Sequence, residues 1–223
     1  MSGPIGVVSH KILLKAGLLL IAGRIDLHRV SATVDPSAPL TVIDPQIARF
    51  VNASDVLAGP QPLPKRHVIG LDHAEVRLTS VVVRPAPPPT QLVIAADLMR
   101  DMIIGFDFRR GSLRVFDHSE YRHVRSNMSA VAIDTAAQDQ CLHIDARSQS
   151  GSSVRLSLVG QPTQIPQHAS TVVLMVGGMP VTAMPTERGA SICPDSDAII
   201  GWDSFADYRV TFDLAKGQMW IAQ

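Results

Sequence analysis

The chain carries no surplus of charge of either sign: twenty lysines and arginines stand against twenty aspartates and glutamates over 223 residues. A surface that gathers polyanions needs a basic excess, so bulk electrostatics excludes nucleic acid as a partner. Cysteine is scarce. Cys141 and Cys193 are the only two, too few for a disulfide scaffold and without the C-x-x-C spacing of structural zinc or thioredoxin chemistry. One disulfide and two buried thiols both fit. Long apolar runs are missing too. The most apolar stretch, Ile12 to Gly23, is interrupted by Lys15 and closed by Arg24. It is shorter than the roughly 20 residues that cross a bilayer as a helix, so no membrane span is expected. No G-x-S-x-G elbow, P-loop or G-x-G-x-x-G is present, which sets aside elbow-type serine hydrolases and nucleotide enzymes. The eight histidines are scattered, and neither His67 with His73 nor His118 with His123 has metal-ligand spacing. No metal and no cofactor are expected.

What is present suffices for a core: 46% of the residues are apolar and only 18% charged, which excludes a disordered tail. Sixteen prolines and fifteen glycines punctuate short β-branched runs such as VSATV, EVRLTSVVV, VRLSLV, TVVLMV and YRVTF. This pattern predicts an all-β fold with one or two short helices. One helix is expected at Pro45 to Phe50, with Asp44 as N-cap and proline in the first turn. A second is expected near Ser204 to Asp207. Segment 84–90, RPAPPPT, reads as a loop, because proline cannot donate to a central ladder. The stretch from Ile12 runs straight into RIDLHRVSATV, which alternates as a strand does, and no A-x-A cleavage pattern follows. It is read as a buried strand pair rather than a signal peptide.

The chain also repeats itself. MIIGFDFRRGSLRVFD (102–117) returns as AIIGWDSFADYRVTFD (198–213), and Gly201 minus Gly105 and Asp213 minus Asp117 are both 96. Upstream, SATVDPSA faces AVAIDTAA, with Asp134 minus Asp35 equal to 99. The expected organisation is therefore two homologous lobes, residues 1–120 and 121–223.

The ordered pieces resemble retropepsin-like and pepsin-like aspartic peptidases. In that family an apolar strand ends in Asp-Thr-Gly, followed by a second strand, a flap hairpin and an apolar-apolar-Gly turn before a short helix. The first half offers TVDPSA, TVIDP, a hairpin around Val68 to Val83, and IIGFDF. The second half offers AIDTAA, CLHID, a hairpin VRLSLVGQPTQIP, VVLMVGGMPV and IIGWDSF. The resemblance implies two acid-protease barrel lobes and a dyad of Asp35 and Asp134. In such a dyad the two carboxylates share a proton, so that one activates water and the other polarises the scissile carbonyl; this family is the best-known example of that arrangement. The resemblance implies supporting loops at Pro36, Ser37, Thr135 and Ala136, and substrate-binding flaps at Ile69-Gly70-Leu71 and Gly160-Gln161-Pro162. It further implies a peptide or protein substrate, a monomer, and an exported or periplasmic setting that the residues themselves leave unknown. The turns depart from the family pattern. Pro36 lacks the hydroxyl that Thr135 keeps, and Ser37 and Ala136 put a Cβ where the family has glycine. Two functions follow from the resemblance: an aspartic endopeptidase, or a catalytically inactive homologue that binds peptide or protein segments between its lobes.

Overall fold

The computed structural model describes residues 10–15, 18–53, 60–71, 74–116, 121–122, 125–134, 141–159, 171–185, 193 and 195–223. The chain is all-β and two-lobed, as expected. In chain order the strands are β1 (His10–Lys15), β2 (Leu18–Ile25), β3 (His28–Asp35), β4 (Val42–Ile43), β5 (Gln61–Leu71), β6 (Ala74–Val83), β7 (Leu92–Ala95), β8 (Ile103–Asp107) and β9 (Ser112–Phe116). They continue with β10 (Ser129–Asp134), β11 (Leu142–Arg147), β12 (Ser153–Leu158), β13 (Val172–Val176), β14 (Met179–Pro185), β15 (Ala198–Ile200), β16 (Arg209–Asp213) and β17 (Gln218–Ala222). Helices are one turn long: α1 (Pro45–Ala48), whose N-cap Asp44 accepts from the Gln46 N–H, and α2 (Ala96–Met99). A 3-10 turn at Trp202–Phe205 overlaps the second expected helix.

Both lobes hang on one antiparallel sheet in the order β1, β9, β8, β16, β17, β10. In the first lobe β2 and β3 form a hairpin, β3 runs parallel to β7, and β4 pairs with both β6 and β7. The second lobe has the same parts: hairpin β11–β12, β12 parallel to β15, and hairpin β13–β14. The stretch expected to be a buried strand pair at the N-terminus is the β1–β2 ladder.

Sequence dictates these elements locally. All four residues of β7, LVIA, are buried, because a strand held between β3 and β4 and covered on its faces reads as a continuous apolar run. The β13–β14 hairpin closes through Gly177 and Gly178, both at positive φ (57° and 83°), the conformation that a two-residue hairpin turn needs. At the junction of the lobes, Phe106, Phe108, Trp202, Phe205 and Phe212 stack in one cluster.

One register read from sequence is corrected. Ile103-Ile104-Gly105 is not the piece beside the Asp35 strand. That place belongs to β7, while β8 pairs with β16 across the lobes. The matching displacement is 106 residues: Ile200 minus Ile94, Arg209 minus Ile103 and Gln218 minus Ser112 all give it. The hairpins β8–β9 and β16–β17 then turn alike. The Asp107 carboxylate accepts from the Arg110 N–H before Gly111 (φ 60°), and the Asp213 carboxylate accepts from the Lys216 N–H before Gly217 (φ 59°). The sequence misleads here because Ile-Ile-Gly-x-Asp is the whole of strand β8 but, in the second lobe, the end of β15 and the start of a 3-10 turn.

Candidate functional site

The site is built at the end of β3. Asp35 pairs in register with Ala95 of β7 and is 1% exposed. A carboxylate so buried needs donors, and its own turn supplies three. Oδ1 accepts from the Ser37 N–H at 3.1 Å, the Ser37 hydroxyl at 2.5 Å and the Ala38 N–H at 3.3 Å. The turn is laced to the next element, since Ala96 N–H donates to the Ala38 carbonyl at 2.9 Å. Beside it Asp97 accepts from the Thr41 N–H and hydroxyl at 3.0 and 2.7 Å. From the other lobe, the Trp202 indole N–H donates to the Val34 carbonyl at 3.2 Å, one residue before the aspartate. Ser37 thus uses its hydroxyl to hold Asp35, and Pro36 is buried with no donor to satisfy.

The corresponding place in the second lobe follows from strand pairing. On β3, Val34 faces Ile94 and Asp35 is the next residue. On β12, Leu158 faces Ile200 and Val159 is the next, its N–H donating to the Ile200 carbonyl at 2.8 Å. Downstream the two stretches continue alike, Ala96-Asp97 opening α2 and Trp202-Asp203 opening the 3-10 turn. Val159 is 3% exposed and packs as an apolar side chain. By strand pairing it therefore holds in the second lobe the position that Asp35 holds in the first.

Asp134 lies elsewhere in its lobe. It ends β10, the outer strand of the shared sheet, opposite His143 of β11. Its side chain is 49% exposed and bound to the Arg155 guanidinium at 2.7 Å. By pairing, β10 corresponds to β1, since each joins the shared sheet to the first strand of its lobe. Below it runs a buried polar relay: His143 Nδ1 meets the Ser157 hydroxyl at 2.8 Å, and Ser157 meets the Ser196 hydroxyl at 2.5 Å. Thr135 and Ala136 lie outside the described residues.

The flap assigned to Ile69-Gly70-Leu71 needs correction. Ile69 and Leu71 are 0% exposed, and β5 is pinned on both sides, to β6 and to β2 through the pairs Arg24 with Gly70 and Ile25 with Ile69. Such a strand is core and cannot close over a peptide. Gly160, Gln161 and Pro162 lie outside the described residues; β12, taken from sequence as one arm of that flap, pairs instead with β11 and β15. Sequence reading missed Val159. The displacement of 106 that Asp97 with Asp203 and Asp101 with Asp207 share marks the stretch after β15 as the counterpart of the one after β7, but Val159 itself is found only through the pairing of β12 with β15. Cys141 and Cys193 form a disulfide with a Cα–Cα distance of 5.8 Å, resolving the alternative the sequence left open.

No family model matches the chain, and no curated protein matches it. Solved structures do. The aspartic proteinase from Irpex lacteus superposes with a TM-score of 0.59 at 10% identity, over 97% of each chain. Basic 7S globulin from soybean superposes with a TM-score of 0.55 at 12% identity, over 98% of this chain and 96% of the globulin. At these identities the likeness is one of fold, and the chain has the two-lobed fold of an aspartic proteinase.

Proposed function

We propose that this protein is a catalytically silent member of the aspartic-proteinase architecture that binds peptide or protein segments in the cleft between its lobes. The observation that carries the reading is Val159. Two-carboxylate hydrolysis needs two groups sharing one proton, one accepting from water and one donating to the scissile carbonyl. A valine at the second strand end can do neither. Asp134 is a poor substitute, because half its surface is in solvent and a guanidinium already occupies its carboxylate. Asp35 stays because it satisfies its own turn, a structural task that does not require catalysis. Peptide binding is supported by the fold it shares with the Irpex lacteus proteinase, where an extended chain can add to strand edges by main-chain pairing. The same reading takes residues 1–120 and 121–223 as two lobes descended from one duplicated unit, sharing a cleft within one monomeric chain.

The test incubates the full chain with a diverse peptide mixture between about pH 3 and 7 and follows both retention and cleavage by mass spectrometry. Retained, intact peptides are expected. Products that vanish in both Asp35→Asn and Asp134→Asn would establish the two-aspartate endopeptidase instead. Neither retention nor cleavage by a folded chain would remove the binding function.

A further inference from the structure

Over β8, β9 and β16 the shared sheet carries an open hollow of about 190 Å³. Its floor exists because residue 105 has no side chain. In the register of the sheet, Arg114 of β9 and Thr211 of β16 flank Gly105 of β8, and in the next row Ser112 and Arg209 flank Asp107. A Cβ on Gly105 would lie 2.7 Å from Cε2 of Phe116 and 3.0 Å from the Thr211 hydroxyl oxygen. Arg110, Arg114 and Arg209 line the hollow with Asp107 as the one carboxylate among the described residues, and Phe116 and Met128 form an apolar wall.

The charge here is out of balance in a chain that is neutral overall. Among the described residues, three arginines against one aspartate line it, an excess of two positive side chains. Asp107 is committed to the turn at Arg110, accepting its N–H at 3.0 Å and facing its Nε at 3.8 Å. Among the described residues neither Arg114 nor Arg209 has a carboxylate partner. Guanidinium groups recognise planar carboxylates in a fork geometry that a spherical charge does not supply. The volume falls below the roughly 300–1,000 Å³ of sites for drug-sized ligands, so the ligand is small.

We infer that this hollow is a binding site for a small organic carboxylate, whose anionic end sits between Arg114 and Arg209 and whose apolar body lies on Phe116 and Met128. The inference stands apart from the cleft reading, since no residue is shared between the two. The experiment titrates the full chain by calorimetry with phenylacetate and, separately, with inorganic phosphate, in low and high salt. Saturable phenylacetate binding is expected, with phosphate weaker because it has nothing to place on Phe116 and Met128. The double variant Arg114→Gln, Arg209→Gln should weaken phenylacetate by about tenfold or more while leaving peptide retention unchanged. Gly105→Val should abolish phenylacetate binding by filling the floor; if that variant does not fold, the arginine pair alone decides. No phenylacetate binding, equal binding of phosphate, or binding indifferent to the arginines would each overturn the site.

Discussion

Trp202 shows how much one side chain carries at the junction of the lobes. It is 0% exposed, its ring packs against Phe106, Phe108 and Phe212, and its N–H is donated to the Val34 carbonyl beside the aspartate turn. Trp202→Ala should cost about 3–5 kcal/mol in urea unfolding, and Trp202→Phe less, since it keeps most of the packing and loses only the hydrogen bond to the Val34 carbonyl. A second residue sets an acid response. Burial raises the pKa of Asp26, but the His67 ring at 2.7 Å and the Val68 N–H outweigh it, and the net shift is below the ordinary 3.8. A group with a depressed folded pKa adds stability that is fully present above the unfolded value and is lost as pH falls through the folded one. The stability difference between wild type and Asp26→Asn should shrink as pH falls below about 4. Asp26 is a turn residue at φ 51°, which its side chain favours. Its pairing with His67, 41 residues away, was not legible in the sequence because the contact depends on β5 docking against β2.

At the scale of elements, the β13–β14 hairpin is pressed onto the shared sheet through its turn. A Cβ on Gly177 would come within 2.9 Å of Val131 and 3.0 Å of Ile221, whereas one on Gly178 would meet nothing within 4 Å. Both residues have positive φ, so any side chain pays about 1 kcal/mol in backbone strain. Gly177→Val should add an overpacking penalty of about 1–3 kcal/mol, while Gly178→Asn should be nearly tolerated; comparing thermal midpoints of the two variants checks this. That hairpin was legible in sequence, as VVLMVGGMPV announces two strands and their turn. The one-turn helix α2 was not, because Ala95 offers no side-chain cap and four residues leave no periodicity to read. The buried end of β5 was misread for a related reason: Ile-Gly-Leu suits a hairpin tip as well as a core strand, and only its pairing to β2 distinguishes them.

For the molecule as a whole, the disulfide ties the start of β11 to the approach of β15 across 52 residues. Closing a loop of that length restricts the unfolded chain by about 4 kcal/mol in the entropy model. Reduction, or Cys141→Ala with Cys193→Ala, should lower stability by about 2–4 kcal/mol without changing the strand content seen by circular dichroism.

The amino-acid sequence by itself determined the all-β class, the two-part plan, the capped first helix and the candidacy of Asp35. Each of these rests on local pattern: alternation, turn residues, a cap, and an apolar strand before an aspartate. The tertiary structure decided which strands pair alike in the two lobes, β3 with β7 and β12 with β15, which puts Val159 rather than Asp134 at the strand end that matches Asp35 by pairing. Strand pairing between distant segments leaves no mark in composition or periodicity. A parallel ladder such as β12 with β15 joins residues more than 40 positions apart, and only the closed sheet shows which side chain stands opposite which.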